Sequence, residues 1–189
     1  SPNHDDGYDT KDYYGVDPRH GTPGDFVELT HQARQRGLRI IIDLVINHTS
    51  DQHPWFQAAR RDERSPYRDY YCWSKTKPPG AHKGMVFPGV QRSTWTYDEV
   101  ARAYYHHRFM PFQPDLNVEH PAVQREIRRI MGFWLELGVS GFRVDAVPFI
   151  IEPTPGLPRG RRKKGAKKRA EAEPGRMRFE YLRELHDFL

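Results

Sequence analysis

A ten-residue run, LRIIIDLVIN at positions 38–47, constrains the fold more than any other feature of the 189-residue sequence. Nearly every side chain in it is apolar and many are branched, which is typical of a strand covered on both faces of a parallel sheet. A helical pattern comes directly before it, because Thr22 and Pro23 suit a helix start and Gly37 suits a helix end. A helix followed at once by a buried strand predicts a parallel α/β fold.

The same order of helix and strand recurs later in the chain. Residues 121–138 carry apolar side chains at helical spacing, and residues 139–147 follow as a second apolar strand. Between the two units, residues 48–111 mix aromatic, proline, glycine and charged residues without a long period. This stretch is too long for an ordinary connection, so we interpret it as an inserted subdomain with short strands at most.

A closed barrel of alternating strands and helices needs about 250 residues, so this chain can hold only part of one, with about two of its strands. The predicted units, in chain order, are residues 1–48 (loop, helix and strand), 49–111 (the inserted subdomain), 112–152 (helix and strand), 153–175 (a basic loop rich in proline and glycine) and 176–189 (the start of a further helix).

Composition excludes several classes of protein. No apolar run approaches the roughly 20 residues of a membrane span, so no membrane partner is expected. Cys72 is the only cysteine, which excludes an internal disulfide. No leader with a charged, an apolar and a small-residue region precedes the first motifs, which favours a cytoplasmic location.

The net charge of +5 comes from one segment, RGRRKKGAKKR at positions 159–169, which contains eight Lys or Arg residues. Removing these eight charges leaves the remainder of the chain at −3. A basic run can bind nucleic acid, or it can be a solvated and disordered loop. The flanking proline and glycine residues favour the loop, so we do not expect nucleic acid to be the main partner.

Charged residues occupy the end of the second predicted strand, GFRVDAV at positions 141–147. Arg143 and Asp145 lie two residues apart and therefore point to the same face of a strand. In parallel α/β folds the active site lies at the carboxyl ends of the strands, and the first strand ends in Asn47 and His48. Arg143 would favour an ionised Asp145, which could act as a nucleophile as in retaining glycosidases, while His48 could bind sugar hydroxyls. The alternative is a simple salt bridge and a structural histidine.

Three segments resemble signatures of the α-amylase superfamily, glycoside hydrolase family 13: DLVINH at 43–48, QPDLN at 113–117 and GFRVDAV at 141–147. Their order and rough spacing match as well. DDGYD at 5–9 resembles a further signature, from the loop after the second barrel strand. The resemblance implies a partial (β/α)₈ TIM barrel with a subdomain inserted after the third barrel strand. Within the family, the sequence most resembles the trehalose synthases (maltose α-D-glucosyltransferases) and their α-glucosidase relatives.

The resemblance also implies roles for single residues. The family nucleophile falls on Asp145, and its companion arginine falls on Arg143. The side chains that would contact the glucose ring fall on Asp5, Tyr8 and His48.

A structural calcium site is implied between the barrel and the inserted subdomain, at Asn47 and Asp115. In the trehalose synthase group, Glu152 and the carbonyl groups of Phe149 and Ile150 would complete it. Oxygen ligands of this kind suit a hard cation, although Asn47 and Asp115 could instead serve as caps or in turns. No organic cofactor is expected.

The family mechanism implies cleavage of an α-glucoside through a covalent glucosyl–Asp145 intermediate. Recapture of the glucose would convert maltose into trehalose, whereas attack by water would give an α-glucosidase or α-amylase type of hydrolysis. The implied partners are maltose, trehalose or other α-glucosides. The family also requires a general acid/base glutamate, and Glu171, Glu173, Glu180 and Glu184 match no motif. We therefore expect the chain alone to be inactive; a truncated, non-catalytic sugar-binding protein is the alternative from another class.

Overall fold

The computed structural model describes residues 1–151 and 174–189. The helices are α1 (Pro23–Gln35), α2 (Pro54–Arg61), α3 (Pro121–Glu136), α4 (Val147–Ile151) and α5 (Pro174–Asp187), the strands are β1 (Ile41–Leu44), β2 (Trp73–Ser74), β3 (Trp95–Asp98), β4 (Ala103–His106) and β5 (Gly141–Val144), and a short 3₁₀ helix spans Arg68–Tyr70. Glu152 and the basic run 159–169 lie outside the described residues.

Strands β1 and β5 form a parallel pair, in which Asp43 lies opposite Arg143 and Leu44 opposite Val144. Helix α1 precedes β1, and helix α3 precedes β5. The predicted parallel α/β arrangement is therefore confirmed. Because the two strands run in the same direction, their carboxyl ends meet at one edge of the sheet.

Local signals explain where the two long helices begin and end. Thr22 caps α1 and forms a capping box with Asp25, and Pro23 occupies the first turn. Gly138, which follows α3, has a φ of +97°, and a Cβ atom there would lie 2.7 Å from Thr30 Oγ1. That hydroxyl also lies 2.8 Å from the carbonyl oxygen of Leu137. Glycine is therefore required both by the backbone and by the close approach of α1.

Both strands are shorter than predicted, at four residues each instead of residues 38–47 and 139–147. The chain leaves β5 at Ala146, which has a φ of +56°, and α4 starts at Val147. The expectation that the first strand is covered on both faces is wrong in the described part of the chain, since Ile41 is 63% exposed. Leu29 of α1 and Leu38, the first residue of the apolar run, are also exposed.

The segment between β1 and α3 contains α2 and a three-stranded antiparallel sheet in the order β2-β4-β3. Its aromatic side chains pack closely, as in the stacked rings of Phe56 and Trp73 with centroids 5.5 Å apart. Phe56 belongs to the same buried core as Leu44 of β1 and Ile127 of α3. Short strands were predicted here, while the division of the chain into domains stays a prediction.

The last helix, α5, begins earlier than the predicted 176–189 and packs against α4. Its buried residues Tyr181 and Leu185 join the main core. Within the described ranges, none of the helices combines the length and the apolar character that a membrane crossing requires.

Candidate active site

A cluster of charged side chains lies at the carboxyl ends of β1 and β5. Arg143 Nη1 is 2.7 Å from Asp145 Oδ1 and 3.1 Å from Asp43 Oδ1. The hydroxyl group of Tyr8 donates to Asp43 Oδ2 at 3.2 Å and lies 3.4 Å from Arg143 Nη1. Arg143 is 54% exposed and Asp145 is 21% exposed, so the cluster faces outward from the sheet rather than into the core.

The charges of this cluster favour fixed protonation states for two of its members. The hydrogen bond and the charge of Asp43 raise the pKa of Tyr8, so its phenol remains a hydrogen-bond donor at neutral pH. The hydrogen bond to Asp43 also raises the pKa of Arg143 above its already high ordinary value. The guanidinium group therefore stays positive between the carboxylates of Asp43 and Asp145.

Asp43 is the member of this cluster to which the sequence interpretation gave no role. It lies in the middle of an apolar strand and directly opposite Arg143 in the parallel register. A charged residue within an apolar strand was the available signal, but its partner is 100 residues away in sequence and only the strand pairing brings the two together.

His48 is buried just after the first strand. Its Nε2 atom lies 3.0 Å from the carbonyl oxygen of Tyr8, and its Nδ1 atom lies 3.2 Å from Asn47 Nδ2. Burial lowers the pKa of His48, which favours a neutral ring. A neutral ring that carries its proton on Nε2 satisfies both contacts, because Nδ1 then accepts from the Asn47 amide and Nε2 donates to Tyr8. A sugar hydroxyl can therefore replace the Tyr8 carbonyl at Nε2 only if the backbone at Tyr8 moves aside.

Gln113 connects His48 with Asp5. Its Nε2 atom donates to Asp5 Oδ2 at 2.7 Å. It also lies 3.2 Å from His48 Nε2, and because both nitrogen atoms carry protons in the tautomer described above, this contact is close packing and not a hydrogen bond. The Phe109 ring lies edge-on to the His48 ring, with centroids 5.2 Å apart. Sequence reasoning used Gln113 only as part of the QPDLN segment and assigned it no contact.

A continuous series of contacts thus joins all five residues proposed from the sequence for catalysis and sugar binding. The series runs from Asp145 through Arg143 to Tyr8, from the Tyr8 carbonyl to His48, and through Gln113 to Asp5. The arrangement offers an accessible carboxylate beside a fixed positive charge, together with neutral donors. This combination suits attack on an electrophilic carbon and the binding of hydroxyl groups.

Asn47 and Asp115, the pair proposed for calcium, lie side by side next to this series. An antiparallel bridge between His48 and Asp115 brings them together, and Asn47 Nδ2 donates to Asp115 Oδ1 at 3.1 Å. Asp115 Oδ1 also accepts from the Arg108 backbone N–H at 2.9 Å, and Oδ2 lies 3.2 Å from His106 Nδ1. Burial acts to raise the pKa of Asp115, but these partners lower it on balance.

The side-chain groups of Asn47 and Asp115 are of the chemical types that bind a hard cation. A buried carboxylate and an amide are both present, although the Asn47 nitrogen faces Asp115 and the amide would have to turn to present its oxygen. The ring of Phe149, in α4, lies 5.3 Å from that of Phe109, the residue after Arg108. Helix α4 therefore lies beside the loop that contacts Asp115. Ile150 is buried in α4. Within the described residues, no group of three or more His, Cys, Asp or Glu side chains is arranged to hold a metal ion.

Comparison with known proteins identifies the class to which this fold and site belong. The family model described as the α-amylase catalytic domain matches residues 1–189. The chain therefore belongs to the α-amylase family, glycoside hydrolase family 13, and its sheet and helices are part of the TIM-barrel catalytic domain of that family.

Two curated relatives show which enzymes of the family the chain resembles. The chain is 51% identical over 152 residues to the trehalose synthase/amylase TreS of Mycobacterium tuberculosis, which covers 80% of this chain and 25% of the relative. It is 44% identical over 170 residues to the oligo-1,6-glucosidase of Parageobacillus thermoglucosidasius, which covers 88% of this chain and 29% of the relative. The chain thus spans about a quarter of the length of the curated relatives it matches.

Solved structures agree with this assignment. A mutant of trehalulose synthase MutB superposes with a TM-score of 0.81 at 37% identity, and covers 100% of this chain and 34% of its own. The trehalose-6-phosphate hydrolase of Bacillus licheniformis gives a TM-score of 0.72 at 41% identity, with 78% of this chain and 26% of its own covered. The predicted family and the partial-barrel fold are confirmed.

Proposed function

We propose that this chain is part of a longer retaining enzyme that breaks α-glucosidic bonds, with Asp145 as its nucleophile. One observation carries the proposal: the Asp145 carboxylate lies 2.7 Å from the Arg143 guanidinium at the open ends of two parallel strands. The guanidinium group of Arg143, which stays protonated, pairs with this carboxylate and orients it. A carboxylate placed in this way is the nucleophile that a retaining glycosidase requires.

In the proposed reaction, Asp145 attacks the anomeric carbon of an α-glucoside and forms a glucosyl ester. The bond to the leaving oxygen breaks, and that oxygen takes a proton from a general acid. Asp5, Tyr8 and His48 hold the glucose ring through its hydroxyl groups. We propose that the general acid lies in the remainder of the enzyme. The chain spans about a quarter of the length of its relatives, and Glu184 pairs with Arg128 at 3.7 Å rather than with a residue of the cluster.

Trapping the intermediate tests the assignment of the nucleophile. The full-length enzyme is treated with a slow fluorinated α-glucosyl fluoride, digested and examined by mass spectrometry. The expected result is a glucosyl adduct on the peptide that contains Asp145, and its absence in the Asp145→Asn variant. An adduct on another carboxylate of the enzyme contradicts the proposal.

We further propose that the enzyme isomerises maltose to trehalose. The 51% identity to a trehalose synthase/amylase supports this reaction. Hydrolysis is the second candidate, supported by the 44% identity to an oligo-1,6-glucosidase. Product analysis on maltose separates the two, because isomerisation yields trehalose with little free glucose whereas hydrolysis yields glucose alone.

We propose that Asn47 and Asp115 hold a structural calcium ion together with Glu152 and the carbonyl groups of Phe149 and Ile150. Calcium would supply positive charge at the buried carboxylate and brace the loops on which these residues lie. The test is the melting temperature of the full-length enzyme with calcium and with a chelator. Calcium is expected to raise the melting temperature of the wild type and to leave that of Asp115→Asn unchanged. An equal response of both proteins contradicts the proposed ligand.

A further inference from the structure

Tyr13 is a buried residue that neither the motifs nor the proposed reaction uses. It comes from the first loop of the chain, yet its hydroxyl group reaches the end of β1. The hydroxyl oxygen lies 2.7 Å from the carbonyl oxygen of Val45 and 3.1 Å from that of His48. A single hydroxyl proton is therefore shared between the first and the last residue of the segment 45–48.

This segment depends on partners outside the sheet. β1 ends at Leu44, so the backbone of residues 45–48 lies beyond its ladder of hydrogen bonds with β5. Buried backbone carbonyl groups need donors, and Tyr13 supplies one to both ends of the segment. On the other side, the Leu116 backbone N–H donates to the carbonyl oxygen of Asn47 at 2.8 Å. These contacts act together with the antiparallel bridge between His48 and Asp115 to define the direction in which His48 leaves the strand.

Tyr13 is itself held from three directions. Its ring stacks on that of Trp55, with centroids 5.6 Å apart, and lies 5.5 Å from the ring of His53. Its carbonyl oxygen accepts a hydrogen bond of 2.8 Å from Trp134 Nε1 in α3. Its hydroxyl group is therefore a fixed point supported by α2 and α3, and not a mobile surface group.

The first loop is tied to the same region at a second point, because the Ser50 backbone N–H donates to the carbonyl oxygen of Thr10 at 2.8 Å. Asp5 and Tyr8, in the same loop, reach the contact series on the opposite side of His48. The loop thus contacts His48 both at its backbone and at its ring.

We infer that Tyr13 is a positioning residue, whose hydroxyl group sets the placement of His48 relative to the sugar in the site. The inference rests on the proposed function, in which His48 binds the glucose ring. Tyr13 touches neither sugar nor nucleophile in this role and acts through the backbone of residues 45–48. Small displacements of a binding group lower the rate strongly, because a productive geometry tolerates only fractions of an ångström.

The test is a double-mutant cycle in the full-length enzyme, with kcat/KM measured on maltose and on an aryl α-glucoside. Tyr13→Phe is expected to lower kcat/KM about tenfold in the wild-type background. In a His48→Ala background the same change is expected to have almost no further effect, because the group that Tyr13 places is absent. Equal losses of activity in both backgrounds would overturn the inference, since they indicate a general structural role.

Tyr105→Phe is the matched control. Tyr105 is equally buried, and its hydroxyl group donates to a different backbone carbonyl, that of Pro111, at 2.7 Å. Each variant loses one hydroxyl donor, so both melting temperatures should fall by similar amounts. Tyr105→Phe is nevertheless expected to keep kcat/KM within about twofold. If Tyr13→Phe does not fold, Trp134→Phe removes the support of the Tyr13 carbonyl instead. It should show a smaller loss with the same dependence on His48.

A measurement that does not depend on catalytic turnover tests this inference separately from the proposed function. If the wild-type enzyme acts on no α-glucoside, the proposed function fails. The imidazole NMR signals of His48, assigned with His48→Gln, still report its placement. They are expected to shift in Tyr13→Phe and to stay unchanged in Tyr105→Phe. Unchanged signals in both variants contradict the positioning role.

Discussion

Asp43 and Arg143 face each other across β1 and β5, and their side chains lie 3.1 Å apart. Arg143 therefore pairs with both Asp43 and Asp145, and Asp43 also accepts a hydrogen bond from the hydroxyl group of Tyr8. At the residue scale the site is a small network around one guanidinium group. Its geometry depends on Asp43 as much as on the residues that the sequence motifs single out.

The Asp43→Asn variant tests this dependence. The change keeps the shape of the side chain but removes its charge, so Arg143 pairs with Asp145 alone and Tyr8 loses a charged acceptor. We expect kcat/KM of the full-length enzyme to fall at least about tenfold through misplacement of Arg143 and Tyr8. The melting temperature should change little, because a half-exposed ion pair contributes only about 0–1 kcal/mol.

Asp17→Asn is the control for this substitution. Asp17 pairs with Arg19, two residues away in the first loop, at 2.6 Å. This variant should keep its activity. An Asp43→Asn enzyme as active as Asp17→Asn would show that Asp43 is dispensable.

At the scale of single elements, α2 and α3 begin in the same way, with a histidine cap followed by proline. The Nδ1 atom of His53 accepts from the Trp55 backbone N–H at 3.1 Å, and Nδ1 of His120 accepts from that of Ala122 at 3.3 Å. Only a ring without a proton on Nδ1 can accept such a bond. The start of α2 is therefore sensitive to protonation of His53.

Stability should fall in mildly acidic solution because of His53. Burial lowers the pKa of His53 from its usual 6.5 to about 4. The unfolded chain therefore binds a proton before the folded one does, and stability present above about pH 6.5 is lost as the pH falls toward 4. The loss from this residue is at most about 3 kcal/mol.

Urea unfolding of wild type and His53→Asn at pH 7 and pH 5 measures this effect. Asparagine is a good cap without a titrating ring, so the variant should lose less stability than wild type between the two pH values. Burial also lowers the pKa of His48, and that of His107 to about 4. Both residues remain in the two proteins and contribute to the residual slope. The same pH dependence in both proteins would refute the role of His53.

The junction between α1 and α3 gives a second prediction at this scale. Gly138→Ala should destabilise the protein by about 1–3 kcal/mol, because it combines a positive φ with a close approach to Thr30 Oγ1. Gly89→Ala is the matched control, since a Cβ atom at that position meets no atom within 4 Å. Thermal unfolding of both variants gives the comparison, and similar melting temperatures would contradict the proposed crowding.

At the scale of the whole molecule, the two-stranded parallel sheet leaves apolar surface uncovered in the part of the chain that the structure describes. Ile41 and Leu38 are 63% and 62% exposed, and the exposed Val27 lies in the preceding helix. In this described part, each of the two strands also has an unpaired edge. Exposed edges with apolar neighbours favour association between chains.

The isolated 189-residue chain should therefore self-associate. Because we propose that the general acid lies elsewhere in the enzyme, this chain should also show no hydrolysis of an aryl α-glucoside. Light scattering over a range of concentrations should show this association. The double substitution Leu38→Lys and Ile41→Lys should reduce it. Val90→Lys is the control, because Val90 is 72% exposed but lies outside the helices and strands. Turnover by the isolated chain would contradict the proposal that the general acid lies elsewhere in the enzyme.

The sequence by itself determined the parts of the fold that depend on neighbouring residues. Thr22 and Gly37 mark the limits of α1, and Gly138 marks the end of α3. The alternation of helix and apolar strand predicts the parallel pairing. The family signatures are equally local. These predictions succeed because caps, turns and periodic burial are decided within a few residues of chain.

Only the tertiary structure decided which distant groups meet. It paired Asp43 with Arg143 across 100 residues and brought the Tyr13 hydroxyl group to the His48 backbone. It also placed the His48 ring against the backbone carbonyl group of Tyr8. It also limited the strands to four residues and left Ile41 exposed. The physical reason is that side-chain partners and burial follow from how elements pack together, and contacts between distant segments leave no periodic signal in the sequence.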